Sequence, residues 1–370
     1  MQNTKTKRPL AAAGLPALTA LALLTGPALQ TAQAGAAPGA VYVLSNQAGA
    51  NTVMVYDRAP NGALGYAASV ATGGSGFGSG GDPLGSQGAL VLSSGLLFAV
   101  NAGSNEISVL RANGDQLSLL QKLPSGGVEP VSIAVHGLLV YVLNAGGTPN
   151  IAGFVIDPFQ QRLLPLADSR RPLAGGTAAQ AAEVRFSADG SVLLVTEKGT
   201  QTVDSYDVGA GGYADGPRST PSAGKVPFGF ATTRRGHAIV SEAGSGAVSS
   251  YDIDDDGGLV PISVSLPLGQ KAPCWLITTR DGRLAFTANA GSGTISSLAV
   301  AHDGTLTLLD GAAGLAAAPL DMALTRDDGY LYVRDGGGAV TGFAVAEDGS
   351  LKAVAAASGI PAGAQGIAAQ

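Results

Sequence analysis

The chain has 370 residues, of which 55 are glycine, 45% are hydrophobic and only 13% are charged, a balance that describes many short strands joined by tight turns, because Gly supplies the positive φ that hairpins need. A net charge of −6 argues against nucleic acid and anionic membranes as partners. The single cysteine, Cys274, excludes a disulfide framework and leaves the fold to its core.

Residues 1–34 stand apart. A basic start (Lys5, Lys7, Arg8), an apolar run over 10–24 broken by Pro16, and Ala32, Gln33 and Ala34 before Gly35 read as a secretory signal peptide with a small-residue cleavage site. The run is too short and interrupted to span a membrane, and no other segment approaches 18 uninterrupted apolar residues. The expected product is a secreted or periplasmic domain, residues 35–370, with 18 basic groups against 27 acidic ones.

Beyond residue 40 helical periodicity is absent and repetition takes over. β-Branched or aromatic runs ending in a polar residue recur in order as VYVLS (41–45), LFAVN (97–101), VYVLN (140–144), LLVTE (193–197), AIVSE (238–242), AFTAN (285–289) and LYVRD (331–335). An Asn/Asp-Gly turn followed shortly by Leu recurs at 61–64, 113–117, 256–259, 303–306 and 348–351, with weaker echoes at Leu163 and Tyr213. AGSGAVSS at 243–250 returns as AGSGTISS at 290–297. A fixed period of this size signals a repeat architecture. Seven units of four strands, labelled A to D from the centre outwards, predict an all-β, seven-bladed β-propeller. The first strand, AVYVLS, has the pattern of a B strand and the last segment, 362–369, that of an A strand, so the ring should close by pairing the two ends of the chain and remove its final open edge.

The topology also assigns faces. If A runs down the channel wall, the A–B turns (SADG 187–190, TRRG 233–236, TRDG 279–282) lie on the bottom, and the D–A and B–C connections lie on top. His136, His237 and His302 then fall on the bottom as surface residues, away from a site expected on top, which excludes a triad or a multi-histidine zinc site there. Asp252, Asp254 and Asp256 resemble the opening of a calcium loop, but Ser263 occupies the twelfth position and a hairpin turn is the better reading. Cys274 and Trp275 open an A strand and are expected to be packed rather than reactive, since a thiol nucleophile needs an activating base.

On top, Glu197 and Glu242 end equivalent B strands in neighbouring repeats, with Lys198 beside Glu197, and Lys225 and Lys271 each two residues before a proline. The expected site uses Glu197 and Glu242 as catalytic carboxylates and Lys198, Lys225, Lys271, Asp321, Asn101, Asn144 and Asn289 as substrate-binding groups. No spacing demands a cofactor; an oxygen-rich divalent-cation position is the weak alternative.

The phrases SADGSVLLVTEKG (187–199), PFGF (227–230), VSEAGSG (240–246), CW (274–275), TANAGSGTIS (287–296) and LYVRD (331–335) resemble the lactonase-type seven-bladed propellers, which include 6-phosphogluconolactonases and fungal carboxymuconate cyclases. Departures accompany the match. Residues 178–182 lack the His-Pro-His common in that family, and Glu197-Lys198-Gly199 stands where Asp-Leu-Gly is usual. The resemblance implies an exported monomeric hydrolase that opens a small lactone or related cyclic ester by carboxylate-activated water. The alternatives are a carboxymuconate-type cyclase or isomerase, and a non-catalytic propeller that binds a small anionic ligand or a protein.

Overall fold

Runs that are apolar at every position, without the alternation of a half-exposed sheet, are what a strand covered on both faces requires. The B-strand runs meet that requirement. Gly39–Leu44, Leu96–Asn101, Leu139–Gly146, Val192–Glu197, His237–Glu242, Leu284–Asn289 and Tyr330–Asp335 are buried along nearly their whole length. The outermost strands, such as Leu64–Ala71 and Leu259–Pro267, alternate with solvent instead. The computed structural model describes residues 39–78, 82–254, 256–354 and 356–370, so the leader expected at 1–34 lies outside the described residues.

The described residues form seven antiparallel sheets, numbered here as blades 1 to 7 in the order of their B strands. Blades 2 to 7 each take consecutive strands outward from the channel, as in blade 5, which comprises Pro227–Thr232, His237–Glu242, Ala247–Ile253 and Leu259–Pro267. Blade 1 is shared. Its inner strand is the chain's last, Ile367–Ala369, which pairs with Gly39–Leu44 through Val41 opposite Ala369 and Val43 opposite Ile367. That strand packs between the inner strands of blades 7 and 2, Pro319–Leu324 and Leu90–Ser93, and closes the ring. The expected phase of the repeat is therefore the observed one.

The inner strands carry a repeated irregularity. Glu129, Gln180, Val226, Ala272 and Ala318 adopt positive φ of 48° to 58°, each at the start of its inner strand, and the register slips just beyond, between Ala181 and Glu183 in blade 4 and between Pro319 and Met322 in blade 7. Four of the five precede proline, which disfavours the right-handed helical region for the residue before it. Bulges of this kind bend the strand and re-aim side chains. Here they fall at one end of the channel and include Glu183 and Asp321.

Asp254 and Gly258 close the expected hairpin, with the Asp254 amide donating to the Gly258 carbonyl at 2.9 Å and the Gly257 amide to the Asp254 carbonyl at 2.9 Å.

Candidate functional site

A channel lined by the inner strands runs through the ring, and one segment crosses it. Residues 82–88 lie between blades 1 and 2, and their polar groups reach opposite walls. The Gln87 amide donates Nε2 to the Leu276 carbonyl at 2.7 Å and accepts the Leu276 N–H at 2.9 Å, so one side chain substitutes for a strand neighbour. Trp275 Nε1 donates to the Ser86 carbonyl at 2.9 Å, Ser86 Oγ to the Val131 carbonyl at 2.9 Å, and the Gln87 amide N–H to the Ala182 carbonyl at 3.0 Å. Lys198 Nζ donates to the Gly85 carbonyl and lies 4.8 Å from the centre of the Phe228 ring. Gln365 Nε2 donates to Asp82 at 2.7 Å. This strap blocks the channel on the side of the D–A connections. Two connected cavities of about 400 and 810 Å³ end on Gln87 and extend the other way, to Ser187, Ser94, Arg280 and Arg326 on the A–B turns.

The floor of the cavity holds the charges. Glu183 is buried; its Oε1 accepts Arg185 Nε at 2.9 Å and lies 2.6 Å from Arg185 Nη2, while its Oε2 accepts the Phe230 amide of the next blade at 2.6 Å. Asp321 is buried across the channel in blade 7, lines the cavity, and accepts the Met322 amide at 2.9 Å. Burial pushes both carboxyls up to about 7. For Asp321 the Glu183 charge adds to that rise and the Arg185 guanidinium opposes it. Arg185 itself is 40% exposed into the cavity. The arrangement offers a carboxyl that is half ionised near neutrality and a cation anchored beside it, the two groups that water activation and oxyanion stabilisation need. Leu90, Ile133, Val184 and Leu324 add apolar surface to the lining beside the polar groups of Gln87, His136, Ser187 and Thr232.

The structure does not bring Glu197 and Glu242 together on a rim. Both are fully buried and turned into their own blades. Glu197 accepts the Gly175 amide at 3.1 Å and Thr200 Oγ1 at 2.5 Å; Glu242 accepts Ser249 Oγ and, at 2.6 Å, Ser265 Oγ. The physical reason is a repeated clip. In blades 2 to 5 the polar residue that closes the B-strand run packs against a glycine of the preceding connection, and in blades 2 to 7 it bonds polar groups of its own blade. Asn101 reaches Ser108 at 2.8 Å, Asn144 reaches Asn150 at 3.2 Å, Asn289 reaches Ser296 at 2.8 Å, and Asp335 accepts Thr341 at 2.9 Å. Asn101, Asn144 and Asn289 are therefore clips as well, not a polar ring around a ligand. A side chain added at Gly74, Gly127, Gly175 or Gly224 would collide with the clip residue. Those glycines, recurring in the connections that lead to the inner strands, were the sequence signal for it.

Lys225 and Lys271 are exposed on the D–A side, beyond the strap from the cavity. Lys198 is mostly buried, its pKa lowered by burial and partly restored by Asp82. Of the expected binding groups, Asp321 alone lines the cavity, and it does so from the channel wall. Cys274 is half-buried, its thiol pushed up to about 12 by burial and by Asp82, so it stays protonated. The histidine expectation needs correcting at two positions. His237 is buried, with Nε2 3.2 Å from the His302 carbonyl and Nδ1 3.3 Å from Asp252. His136 lies in the cavity wall, its ring 5.8 Å from that of Phe186, because the cavity opens on the face to which the histidines were assigned. Arg185 and Gln87 were missed. Glu183 and Arg185 stand two apart on one strand, hence on one face, which was a readable hint. Gln87 sits in a connection outside the repeat pattern, and long unrepeated loops in a repeat protein are where function gathers.

A family model for the lactonase, seven-bladed β-propeller matches residues 165–270 and 244–364. No curated protein matches the chain in sequence. Among solved structures, a periplasmic gluconolactonase from Pseudomonas aeruginosa superposes with a TM-score of 0.70 at 16% identity, covering 89% of this chain and 99% of that one. A proposed 6-phosphogluconolactonase from Bacteroides uniformis gives 0.68 at 18% identity, with the same coverage. Virginiamycin B lyase from Staphylococcus aureus gives 0.53 at 11% identity over 73% of this chain and 84% of that one. At such identities the likeness is one of fold. The family match spans more than half of the residues, and this chain belongs to the lactonase, seven-bladed β-propeller family.

Proposed function

We propose that the protein is an exported lactone hydrolase that works inside the channel, on the floor formed by Asp321 and Arg185. Ionised Asp321 takes a proton from water as the water oxygen attacks the lactone carbonyl. The oxyanion that forms is met by the Arg185 guanidinium, which Glu183 holds in place. Collapse of the adduct breaks the ring C–O bond, and the leaving alkoxide takes the proton back from Asp321, giving a hydroxy acid with no other reactant than water. The single observation that carries this reading is a cavity-lining carboxyl with its pKa near 7 within the field of an anchored arginine. General acid–base catalysis is most effective when the group titrates near the working pH. The side chains of Leu90, Ile133, Val184 and Leu324 suit the body of an uncharged ring, and the leader-like residues 1–34 support export.

The test is acid release from a panel of γ- and δ-lactones, followed at constant pH with the purified protein, its Asp321→Asn variant and its His136→Gln variant. Turnover lost in Asp321→Asn and kept in His136→Gln supports the reading. Loss in the histidine variant alone moves the base to His136. A lactone that binds in the channel without turnover replaces the hydrolase with a binding propeller.

A further inference from the structure

The clip changes its chemistry in blade 4. In blades 2, 5, 6 and 7 the residue that ends the B strand bonds the C-strand residue lying opposite the position two before it. These partners are Ser108 opposite Ala99, Ser249 opposite Val240, Ser296 opposite Thr287 and Thr341 opposite Val333. Each is a hydroxyl, and where the strand ends in an acid, at Glu242 and Asp335, the hydroxyl donates. Blade 4 puts Asp204 in that place, opposite Val195 and on the same face as Glu197. A carboxyl can act as a donor only when it carries a proton. Both acids are fully buried, and two carboxylates that share a buried site do not both stay ionised. Asp204 Oδ1 is buried and meets no donor in hydrogen-bond geometry, which leaves it open to a proton. The connection from blade 3 hangs on this pair: the Ala174 amide donates to Asp204 Oδ2 at 2.8 Å and the Gly175 amide to Glu197 Oε2 at 3.1 Å.

We propose that Glu197 and Asp204 form a proton-locked latch, in which one shared proton holds the connection over residues 174–180 against blade 4 and its loss releases that connection on the D–A face. Desolvation first, and the hydrogen bond with Glu197 next, push Asp204 up to about 7 against the Ala174 amide and the Ser219 hydroxyl. The latch is therefore closed below about that pH and opens above it. The other titratable group beside the pair is Tyr206 on the C strand, which burial and the two acids keep protonated and whose hydroxyl donates to the Pro172 carbonyl at 3.0 Å. Blade 3 presents Arg171, whose guanidinium donates to the carbonyls of Asp168 and Arg170. On the outer strand of blade 4, Arg218 turns to Asp256, and Lys198 carries its charge away to Gly85. Residues 173–180 hold no titratable side chain of their own.

The test is amide hydrogen exchange of the full chain as a function of pH, each rate divided by the intrinsic base-catalysed rate at that pH. Protection of the Ala174 and Gly175 amides should fall about tenfold between about pH 6 and 8 as the shared proton leaves. Blade 5 supplies the internal control. There Glu242 is served by Ser249 and Ser265, with no second acid, and the Ala223 and Lys225 amides of the matching connection donate to Tyr251 and Ser245. Their protection should stay level over the same range. Asp204→Asn replaces the protonated carboxyl by a carboxamide that donates to Glu197 at every pH, and Asp204→Ser copies the hydroxyl of blade 5. Protection at 174 and 175 should become independent of pH in both variants. Level protection in the parent, an equal fall in blade 5, or a fall that survives in either variant overturns the latch.

Discussion

At the scale of single residues, the direction in which a buried acid turns separates those that hold the fold from the one that faces the cavity. Asp321→Asn keeps shape and the Met322 contact but cannot take a proton, so turnover should fall by roughly 10² or more. With the parent carboxyl at about 7, activity should rise with pH through that value as the base ionises, and the asparagine variant should lose this limb. A pH–rate profile of kcat/KM checks both. Glu242 behaves oppositely. Glu242→Ala leaves Ser249 and Ser265 without their acceptor in a buried blade, and the cost should be about 1–3 kcal/mol in urea unfolding with turnover per folded molecule unchanged. Equal stability of the variant and the parent would show that the clip contributes nothing. The sequence made Glu197 and Glu242 look catalytic because it places them in register but says nothing of which way a strand-end side chain turns. Glycines at 175 and 224 open the space that draws each carboxylate inward, and that packing is a property of two segments, not of the motif.

Among the elements, the closing strand is the shortest of the seven inner strands and carries the most. Ile367–Ala369 supplies the inner edge of blade 1, and just before it the Gln365 amide donates to the Leu44 carbonyl at 2.9 Å while its side chain anchors the strap at Asp82. Deleting residues 363–370 exposes the inner edge of Gly39–Leu44 and frees one end of the strap at the same time. A repeat ring loses cooperativity when its closure goes, so the truncated protein should melt broadly and at markedly lower temperature. A melting point within a few degrees of the parent would mean that closure is not what holds the ring. The phase of this closure was readable because a B-type run begins the repeat array and an A-type run ends it. The strap was not, since residues 82–88 repeat nothing and Ser86 and Gln87 take partners nearly 200 residues away, at Trp275 and Leu276. The cavity's direction followed from the strap and was missed with it; the mouth lies on the face of the A–B turns, where His136, Arg280 and Arg326 stand.

Across the whole molecule the buried acids set how stability follows pH. Burial raises Glu183, Asp204 and Asp321 to about 7 in the folded protein, Asp204 also through its hydrogen bond with Glu197. Unfolded, the same groups titrate near pH 4. Between those values the folded chain holds more protons than the unfolded one, so their contribution is fully present below about pH 4 and is lost as pH rises through about 7. Asp189 and Asp281 act the other way. Hydrogen bonds from Ser187 and Ser191 lower Asp189 to about 2; at Asp281 desolvation is the largest single influence, but hydrogen bonds from Arg283 and Thr279 together outweigh it and bring the group to about 2. Their contribution is present above about pH 4 and lost as pH falls through about 2, and it is small because both are mostly exposed. The two groups of acids leave one window, and the melting temperature should peak near about pH 4–5 and fall steadily to pH 8, with growing net negative charge adding to the fall. Asp204→Asn removes one of the three titrations far from the cavity, so it should flatten part of that slope without altering the pH–rate profile. Calorimetric melting from pH 4 to 8 in a common ionic strength decides the matter: a melting temperature that is level or rising between pH 5 and 8 would place these carboxyls in contact with water and remove the basis for a neutral-range base at Asp321.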